Sequence, residues 1–412
     1  MHTTTHNKRK IINDPVHGFI TIPNELIFDL IEHPYFQRLR RIKQLGLSHL
    51  VYPGANHTRF HHALGAMHLM NEAIDVLRSK GVEITEDEKL GALVAILLHD
   101  IGHGPFSHTL EHSLLNSIQH EAVSLLFMER LNEQFDGRLA TGIAIFSNTY
   151  KKTFLHQLVS SQLDMDRLDY LQRDSFFTGV SEGVIGSERI IAMLNVSNNQ
   201  LVIEEKGIYS IENFIGARRI MYWQVYMHKT VVSSEFMLTS ILKRAKFLYQ
   251  EGINLFASPS LKVFLKDDVS FDQFKNDPSM LEHFALIDDS DISSAIKVWQ
   301  SCEDKILAKL CRDIASRHLF KTIISKEKFS DEFISESRSE IQDKLAITAD
   351  ELKYFIKSEK LVNSAYDEKD KQILIKMRNG DIMDLAQASD NLNISALSTP
   401  VEKFFLCKTK IK

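Results

Sequence analysis

The chain has 412 residues, 44% of them hydrophobic and 25% charged, an ordinary globular balance that excludes fibrous and low-complexity classes. Its 49 basic and 54 acidic side chains leave a net charge of −5, so no global basic field is present to attract nucleic acid. A polyanion would have to be gripped by a local cluster of Arg, Lys and His.

The length is long for one compact core, and a large domain with a smaller one is expected. Cys302, Cys311 and Cys407 are scattered late in the chain without a C-x-x-C spacing, as reduced thiols would be. The opening MHTTTHNKRK lacks an apolar run, and no 18-residue apolar stretch follows, so a soluble cytoplasmic protein is expected.

Residues 1–9 are polar. Over 10–20, short apolar pairs alternate with Asn13, Asp14, Pro15 and Gly18, which predicts a small hairpin or loop. Residues 24–30 and 34–46 read as helices, the second carrying Arg38, Arg40, Arg41 and Lys43. Helices over about 60–80, 86–101 and 119–135 follow from apolar residues at i, i+3, i+4 spacing. Gly102, Gly104 and Pro105 stop the middle one just past His99–Asp100. Further helices are expected over 154–174 and 185–194, a hairpin arm at 201–204, and one long helix from 210 to about 247.

Residues 256–280, rich in Ser, Asp, Lys and Pro, read as an irregular linker or insertion. Beyond it, 319–324 predicts a strand and 331–344 a helix, and 371–388 predicts two strands around the Asn379-Gly380 turn. The expectation is a mostly α protein with three parts. These are a helical core over 1–255 that includes the N-terminal hairpin, a helical linker or extension over 256–318, and a smaller α+β appendage over 319–412.

Four separated residues carry the chemistry: His62, the pair His99–Asp100, and Asp166. Two imidazoles and two carboxylates form a mixed N/O set for a first-row divalent cation and leave positions open for water and a phosphate oxygen. His99 and Asp100 end the apolar segment GALVAILLHD, where buried polar groups must be paired or ligated.

Next comes GHGPFSHTLEH. His103 lies between two glycines, and His108 and Glu111 stand at i, i+3, where a carboxylate can orient an imidazole for acid–base work. The plain alternative is a surface pair contributing about a few tenths of a kcal/mol. His68 and His112 read as structural, and His120–Glu121 as a contact behind the metal ligands or to phosphate.

Asp166, Tyr170 and Asp174 at i, i+4, i+8 share one helical face, spanning about 12 Å. Arg167 follows Asp166, and Arg218, Tyr222 and Tyr226 repeat the spacing ahead of His228–Lys229, as the wall of a substrate groove would. Arg59, His103, Arg167 and Arg218 make a positive set suited to a polyphosphate.

The stretches INDPVHG, FQRLRRIKQLG, HTRFHHALG, HDIGHGPFSH, HE, DMDRLDYLQRD and R-x3-Y-x3-Y-x-H-K together resemble the HD-domain metal-dependent phosphohydrolases. Within these the chain is similar to the deoxynucleoside triphosphate triphosphohydrolases, including the vertebrate sterile-alpha-motif-and-HD-domain enzyme and bacterial dGTPases. The resemblance spans residues 10 to about 229, and residues 256–412 carry no matched motif.

The resemblance implies hydrolysis of a dNTP, dGTP among them, to deoxynucleoside and inorganic triphosphate. It implies His62, His99, Asp100 and Asp166 as ligands of Mn²⁺ or Mg²⁺, with Fe²⁺ or Zn²⁺ next. It implies His108, Glu111 and Asp100 in catalysis. Arg59, His103, His120, Arg167, Tyr170 and Arg218 match triphosphate contacts. Gln44 and Asp174 match partners of the sugar 3′-hydroxyl, and Leu45 and Tyr226 the residues that crowd out a 2′-hydroxyl.

Two positions depart from the vertebrate pattern: Arg167 stands for Lys and Glu111 for Asp, each keeping its charge. Lys10, Asn13, Gln37 and Arg40, with Glu32 in place of Asp, match a regulatory dNTP site between subunits of a homo-oligomer, a dimer or tetramer. No membrane or nucleic-acid partner is expected. The alternatives are another hydrolase of the same fold, a phosphodiesterase or nucleotidase, and a nucleotide-sensing regulator.

Overall fold

The computed structural model describes residues 10–111, 113–115, 118–363, 372–390 and 400–411, with the side chains of His108 and Asn363 outside that description. Residues 1–9 and His112 lie outside it too.

Strands β1 (Ile11–Asp14) and β2 (Gly18–Thr21) pair antiparallel. Asp14 Oδ1 accepts the amides of Val16 (2.9 Å) and His17 (3.0 Å), and Gly18 closes the turn at a φ of 73°. Asn24 caps α1 (Glu25–Glu32) by accepting the Ile27 amide at 3.0 Å. Helix α2 (Pro34–Gln37) then tightens into a 3-10 turn at Arg38–Arg41 and stops, short of the helix expected to residue 46. Its would-be continuation is drawn into backbone pairing with the entry to the next helix: Arg59 N donates to Ile42 O (3.0 Å) and Gln44 N to His57 O (3.0 Å). Tertiary pairing overrides local propensity there.

The core is built on α3 (Arg59–Ser79) and α4 (Glu86–Leu98), followed by α5 (His108–Glu111), α6 (His120–Gln134), α7 (Ala140–Phe146), α8 (Thr153–Val159) and α9 (Met165–Thr178). A Thr85–Glu88 capping box starts α4, and every residue from Ala92 to Leu98 is buried, so this helix is apolar all round and lies inside the protein. The single helix expected over 154–174 is two. Ser160 turns extended, and Asp164 restarts the helix by accepting the Arg167 amide at 2.7 Å. An Asp inside an apolar-periodic run was a cap and not a helical position.

Helix α10 (Ser187–Ala192), the hairpin β3 (Leu194–Ser197) and β4 (Gln200–Glu204), α11 (Ile208–Met221) and α12 (Lys229–Gln250) continue the chain. The long helix expected over 210–247 is interrupted by a π-helical turn at Tyr222–Tyr226, where Met227 N donates to Tyr222 O at 2.8 Å. His228 leaves the helical region and caps α12 through its imidazole.

The stretch expected to be irregular forms α13 (Pro259–Lys266), α14 (Phe271–Asn276) and α15 (Pro278–Ala285). Its Ser, Asp and Pro residues are start signals: Ser258, Ser270 and Asp277 are N-caps, and Pro259 and Pro278 occupy first helical positions. Helices α16 (Asp289–Trp299) and α17 (Lys305–Ala315) follow.

The remaining elements are β5 (Lys321–Ser325), α18 (Asp331–Leu345), β6 (Ile356–Asn363), β7 (Leu374–Lys376), β8 (Ile382–Asp384), α19 (Leu385–Ala388) and β9 (Val401–Lys408). Strands β5, β9 and β6 make one antiparallel sheet. Strand β7 pairs parallel to β4, giving the order β3-β4-β7-β8, so the C-terminal strands extend a sheet begun in the helical core. The fold is mostly α, and one apolar cluster runs from Ile20 to Cys407.

Close approach of α3 and α9 depends on Gly65. A Cβ there would lie 1.9 Å from Asp169 Oδ1 and 2.2 Å from Arg173 Nη2, both on fully buried side chains. Gly65→Ala is expected to destabilise the protein by about 2–3 kcal/mol, since overpacking a closed core forces neighbours off their rotamers. Thermal denaturation checks this, and an unchanged melting temperature refutes the tight contact.

Candidate metal and phosphate site

The first turn of α3 supplies Arg59 and His62, the end of α4 leads to His99 and Asp100, and the first turn of α9 supplies Asp166. His62 Nε2 lies 3.1 Å from Asp166 Oδ1, 3.3 Å from His99 Nε2 and 3.7 Å from Asp100 Oδ2. His99 Nε2 is 3.4 Å from Asp100 Oδ1 and 3.5 Å from Asp166 Oδ1.

These separations fit donors around one ion, because metal–ligand bonds of about 2.0–2.2 Å place neighbouring donors about 3.0–3.6 Å apart. The tautomers agree. His62 Nδ1 faces Asp169 Oδ2 at 2.8 Å and His99 Nδ1 faces the Ile96 carbonyl at 2.6 Å, so each Nδ1 carries a proton and both Nε2 atoms turn inward. Two Nε2 atoms at 3.3 Å are satisfied together only by a positive charge between or beside them, a proton or a metal ion.

The field is right for one. Burial disfavours charge on His62, yet hydrogen bonds to Asp166 and Asp169 outweigh it and lift its pKa to about 10. Burial likewise works against Asp100, but His99, Arg59 and His103 hold its carboxyl well below the usual range.

Behind His62 stands a network whose members the sequence reading gave no role. Asp169 accepts from Arg173 Nε and Nη2, both at 2.9 Å, and meets His17 Nε2 at 2.6 Å. Arg173 reaches on to Asp14 Oδ2 at 2.8 Å. All of these lie within INDPVHG and DMDRLDYLQRD. The available signal was helical phase, since Asp169 and Arg173 stand three and seven residues after Asp166.

Arg59 Nη1 donates to Asp100 Oδ2, and its Nε and Nη2 donate to Ser107 Oγ at 3.1 and 2.7 Å. His103 Nε2 is 3.3 Å from Asp100 Oδ1, and its ring stacks on His120 at 3.7 Å. Burial, reinforced by Arg59, pushes the His103 pKa well down, so it is neutral. Asp100, His103 and His120 thus form a second set of donors beside the first.

Glu111 Oε1 lies 3.0 Å from His120 Nδ1 and 4.0 Å from His103 Nδ1. The expected pairing of Glu111 with His108, the first residue of α5, lies outside the described side chains. His68 sits away from the ligands beside Glu72 at 3.4 Å.

A cavity of about 770 Å³ opens at Arg59 and is walled by Gln44, Leu45, Tyr170, Asp174, Tyr222 and Tyr226, continuing to β6 and β9. The π-helical turn brings both Tyr222 and Tyr226 to this wall. Asp174 is engaged on both oxygens, by His57 Nε2 at 2.7 Å and by the Tyr226 hydroxyl at 2.8 Å; His57 went unnoticed in the sequence. Gln44 Oε1 is buried without a hydrogen-bond partner among the described residues.

His103, His120, Arg167 and Arg218 are not part of that wall. Arg167 donates to Ser161 O (2.7 Å) and Tyr170 Oη (3.3 Å). Arg218 makes no hydrogen bond or ion pair among the described residues; burial, with Arg167 nearby, depresses its pKa. Arg167 Nε also pairs with the buried Asp164 Oδ2 at 3.4 Å, so of the two neighbouring guanidiniums it is Arg218 that lacks a carboxylate partner among the described residues.

The residues matched to a regulatory site occupy the hairpin and the α1–α2 region. The Lys10 ammonium lies 4.4 Å over the Phe28 ring, and Asn13 pairs across the hairpin with Phe19. Glu32 ends α1, Gln37 accepts from Arg40 Nε at 2.8 Å, and the Arg40 guanidinium covers Phe60 at 3.6 Å.

Asp166→Ala is expected to abolish metal binding. Asp169→Asn, which leaves every first ligand in place, should weaken it about 10–100-fold through loss of the His62 orientation. Metal titration of the purified variants checks both; wild-type affinity in Asp169→Asn would remove the orienting role.

Two family models match: the HD domain over residues 59–174 and the HD associated region over residues 185–253. A crystal structure of a phosphohydrolase from Bacteroides thetaiotaomicron is 53% identical, with a TM-score of 0.94, covering 98% of this chain and 100% of that one. The uncharacterized protein YwfO of Bacillus subtilis is 38% identical over 77% of this chain and 72% of its own length. The Dictyostelium discoideum deoxynucleoside triphosphate triphosphohydrolase SAMHD1 homolog is 32% identical over 59% of this chain, and the chain spans 50% of that relative's length. With His62, His99 and Asp166 gathered in one group and Asp100 in the adjoining one, the chain belongs to the HD-domain phosphohydrolase family.

Proposed function

We propose that the protein hydrolyses deoxynucleoside triphosphates, dGTP among them, to deoxynucleoside and inorganic triphosphate. The observation that carries this reading is the continuity of the site. Arg59, bonded to the ligand Asp100, also opens the cavity walled by Gln44, Leu45, Tyr170, Asp174 and Tyr226. At about 770 Å³ the cavity is large enough for a nucleotide. The SAMHD1-type relative supports the same reading by its name.

A divalent ion held by His62, His99 and Asp166, with Asp100 3.4 Å from His99 and 3.7 Å from His62 as fourth ligand, Mn²⁺ or Mg²⁺ ahead of Fe²⁺ or Zn²⁺, would polarise a phosphoryl oxygen and activate water. Arg59, Arg167 and Arg218, with His103 and His120, hold the phosphate chain. Gln44 offers its unpaired oxygen to the sugar hydroxyl, and the Asp174–Tyr226 pair closes the sugar wall. Leu45 and Tyr226 leave no room for a 2′-hydroxyl. His108 moves a proton at the leaving 5′ oxygen, assisted by Glu111.

Incubation with each dNTP and Mn²⁺ or Mg²⁺, followed by chromatography, should show deoxynucleoside and triphosphate, with GTP turned over far more slowly than dGTP. His108→Ala should lower turnover by about 10²–10⁴ with metal retained. Release of monophosphate or inorganic phosphate would instead identify a phosphodiesterase or nucleotidase of the same fold.

Regulation belongs to the same reading. Lys10, Asn13, Glu32, Gln37 and Arg40 would bind a second dNTP between subunits of a homo-oligomer. Rate against dNTP concentration should be sigmoidal, and Arg40→Ala should flatten it. Hyperbolic kinetics with every dNTP and no cross-stimulation would leave an unregulated hydrolase. No helix among the described residues is long and apolar enough to cross a membrane.

A further inference from the structure

We propose that Asp289, the first residue of α16, is a positioning residue whose carboxylate clamps together two backbone segments that line the candidate active-site cavity. Asp289 lies outside both regions matched by the HD family models. Its Oδ1 accepts the Phe106 amide at 2.9 Å, and its Oδ2 accepts the Lys43 amide at 3.0 Å.

The residues so held are those of the site. Lys43 precedes Gln44 and Leu45, and Phe106 precedes Ser107; Gln44, Leu45, Phe106 and Ser107 all line the cavity. Phe106 also lies between His103, which faces Asp100, and His108.

The loop needs such a hold. Phe106 and Ser107 are consecutive non-glycine residues with φ of 52° and 51°, a backbone state that persists only where surroundings over-determine it. Ser107 is held from the metal side by Arg59 through its hydroxyl, and Phe106 from the opposite side by Asp289 through its amide. The start of the loop is held from the 3-10 turn at Arg38–Arg41. Arg38 gives both Nη groups to the His103 carbonyl, at 2.8 and 2.7 Å, with the Phe284 ring of α15 5.0 Å from its guanidinium.

A carboxylate is what this geometry requires. Two amide donors 63 positions apart in the chain, residues 43 and 106, need two acceptor oxygens on one rigid group. An asparagine has one oxygen and would turn its NH₂ toward the other amide. Burial pushes the Asp289 carboxyl up to about 6, so at neutral pH it is ionised and accepts from both.

The test compares Asp289→Asn with Asp291→Asn. Asp291 lies in the same helical turn, carries the same charge and accepts the Asp288 amide at 2.8 Å in the capping box, with no hydrogen bond to the loop. Hydrogen exchange read by mass spectrometry should be about tenfold faster in peptides spanning 42–48 and 101–111 of Asp289→Asn, while the rest of the chain and Asp291→Asn stay near wild type. The turnover arm rests on the dNTP reading above: kcat should fall about 10–100-fold in Asp289→Asn alone, with metal content kept.

Unchanged exchange in both peptides overturns the clamp. So does faster exchange across the whole chain, which would make Asp289 a general stability residue, and so does an equal effect of both variants, which would make it a helix cap. If the wild type turns over no dNTP, the functional reading fails while the exchange result still decides the clamp.

Discussion

The fully buried carboxylate of Asp169 is the group on which the rest of the site depends. It takes hydrogen bonds from Arg173 and meets His17 and His62, joining the N-terminal hairpin, α3 and α9 at one point. A charge in that position is tolerable only because cations and N–H donors surround it; removing one partner of such a group typically costs about 3–5 kcal/mol. The same carboxylate fixes the tautomer of His62 and so directs its Nε2 toward His99 and Asp166. Stability and ligand geometry therefore share one constraint, and Gly65 meets it by letting α9 approach α3 without a Cβ between them.

From that anchor the site grows outward in two directions. On one side Asp100 links Arg59, His103 and His99, where its neighbours keep the carboxylate charged against burial, while burial and Arg59 keep His103 neutral. On the other, the π-helical turn brings Tyr222 and Tyr226 into the wall that faces Tyr170 and Asp174. An i→i+5 turn re-aims side chains that an uninterrupted helix would have placed on a different course, which is why such turns recur at functional sites.

The C-terminal half encloses this arrangement. Strands β6 and β9 complete the cavity, β7 joins β4, and α15–α16 braces the loop between His103 and His108. Residues that carry no recognisable chemistry in the linear chain thereby line the cavity and bond the backbone of those that do.

By itself the sequence determined the helical class, most helix positions, and a set of histidines and aspartates that the fold brings close together. These are local properties: apolar phase, caps, and residues spaced by whole turns along α9. It mis-stated the helix breaks at Asp164 and Tyr222–Tyr226 and read the capped helices over 256–280 as a linker, because Asp, Ser and Pro mark a helix start and a loop in the same way.

Only the tertiary structure decided that Glu111 faces His120 and His103, that His57 and Tyr226 share Asp174, and that Asp289 spans Lys43 and Phe106. Each of these joins elements distant in the chain or separated by a turn whose path has no period. Such contacts are set by how buried polar groups find partners when the helices pack.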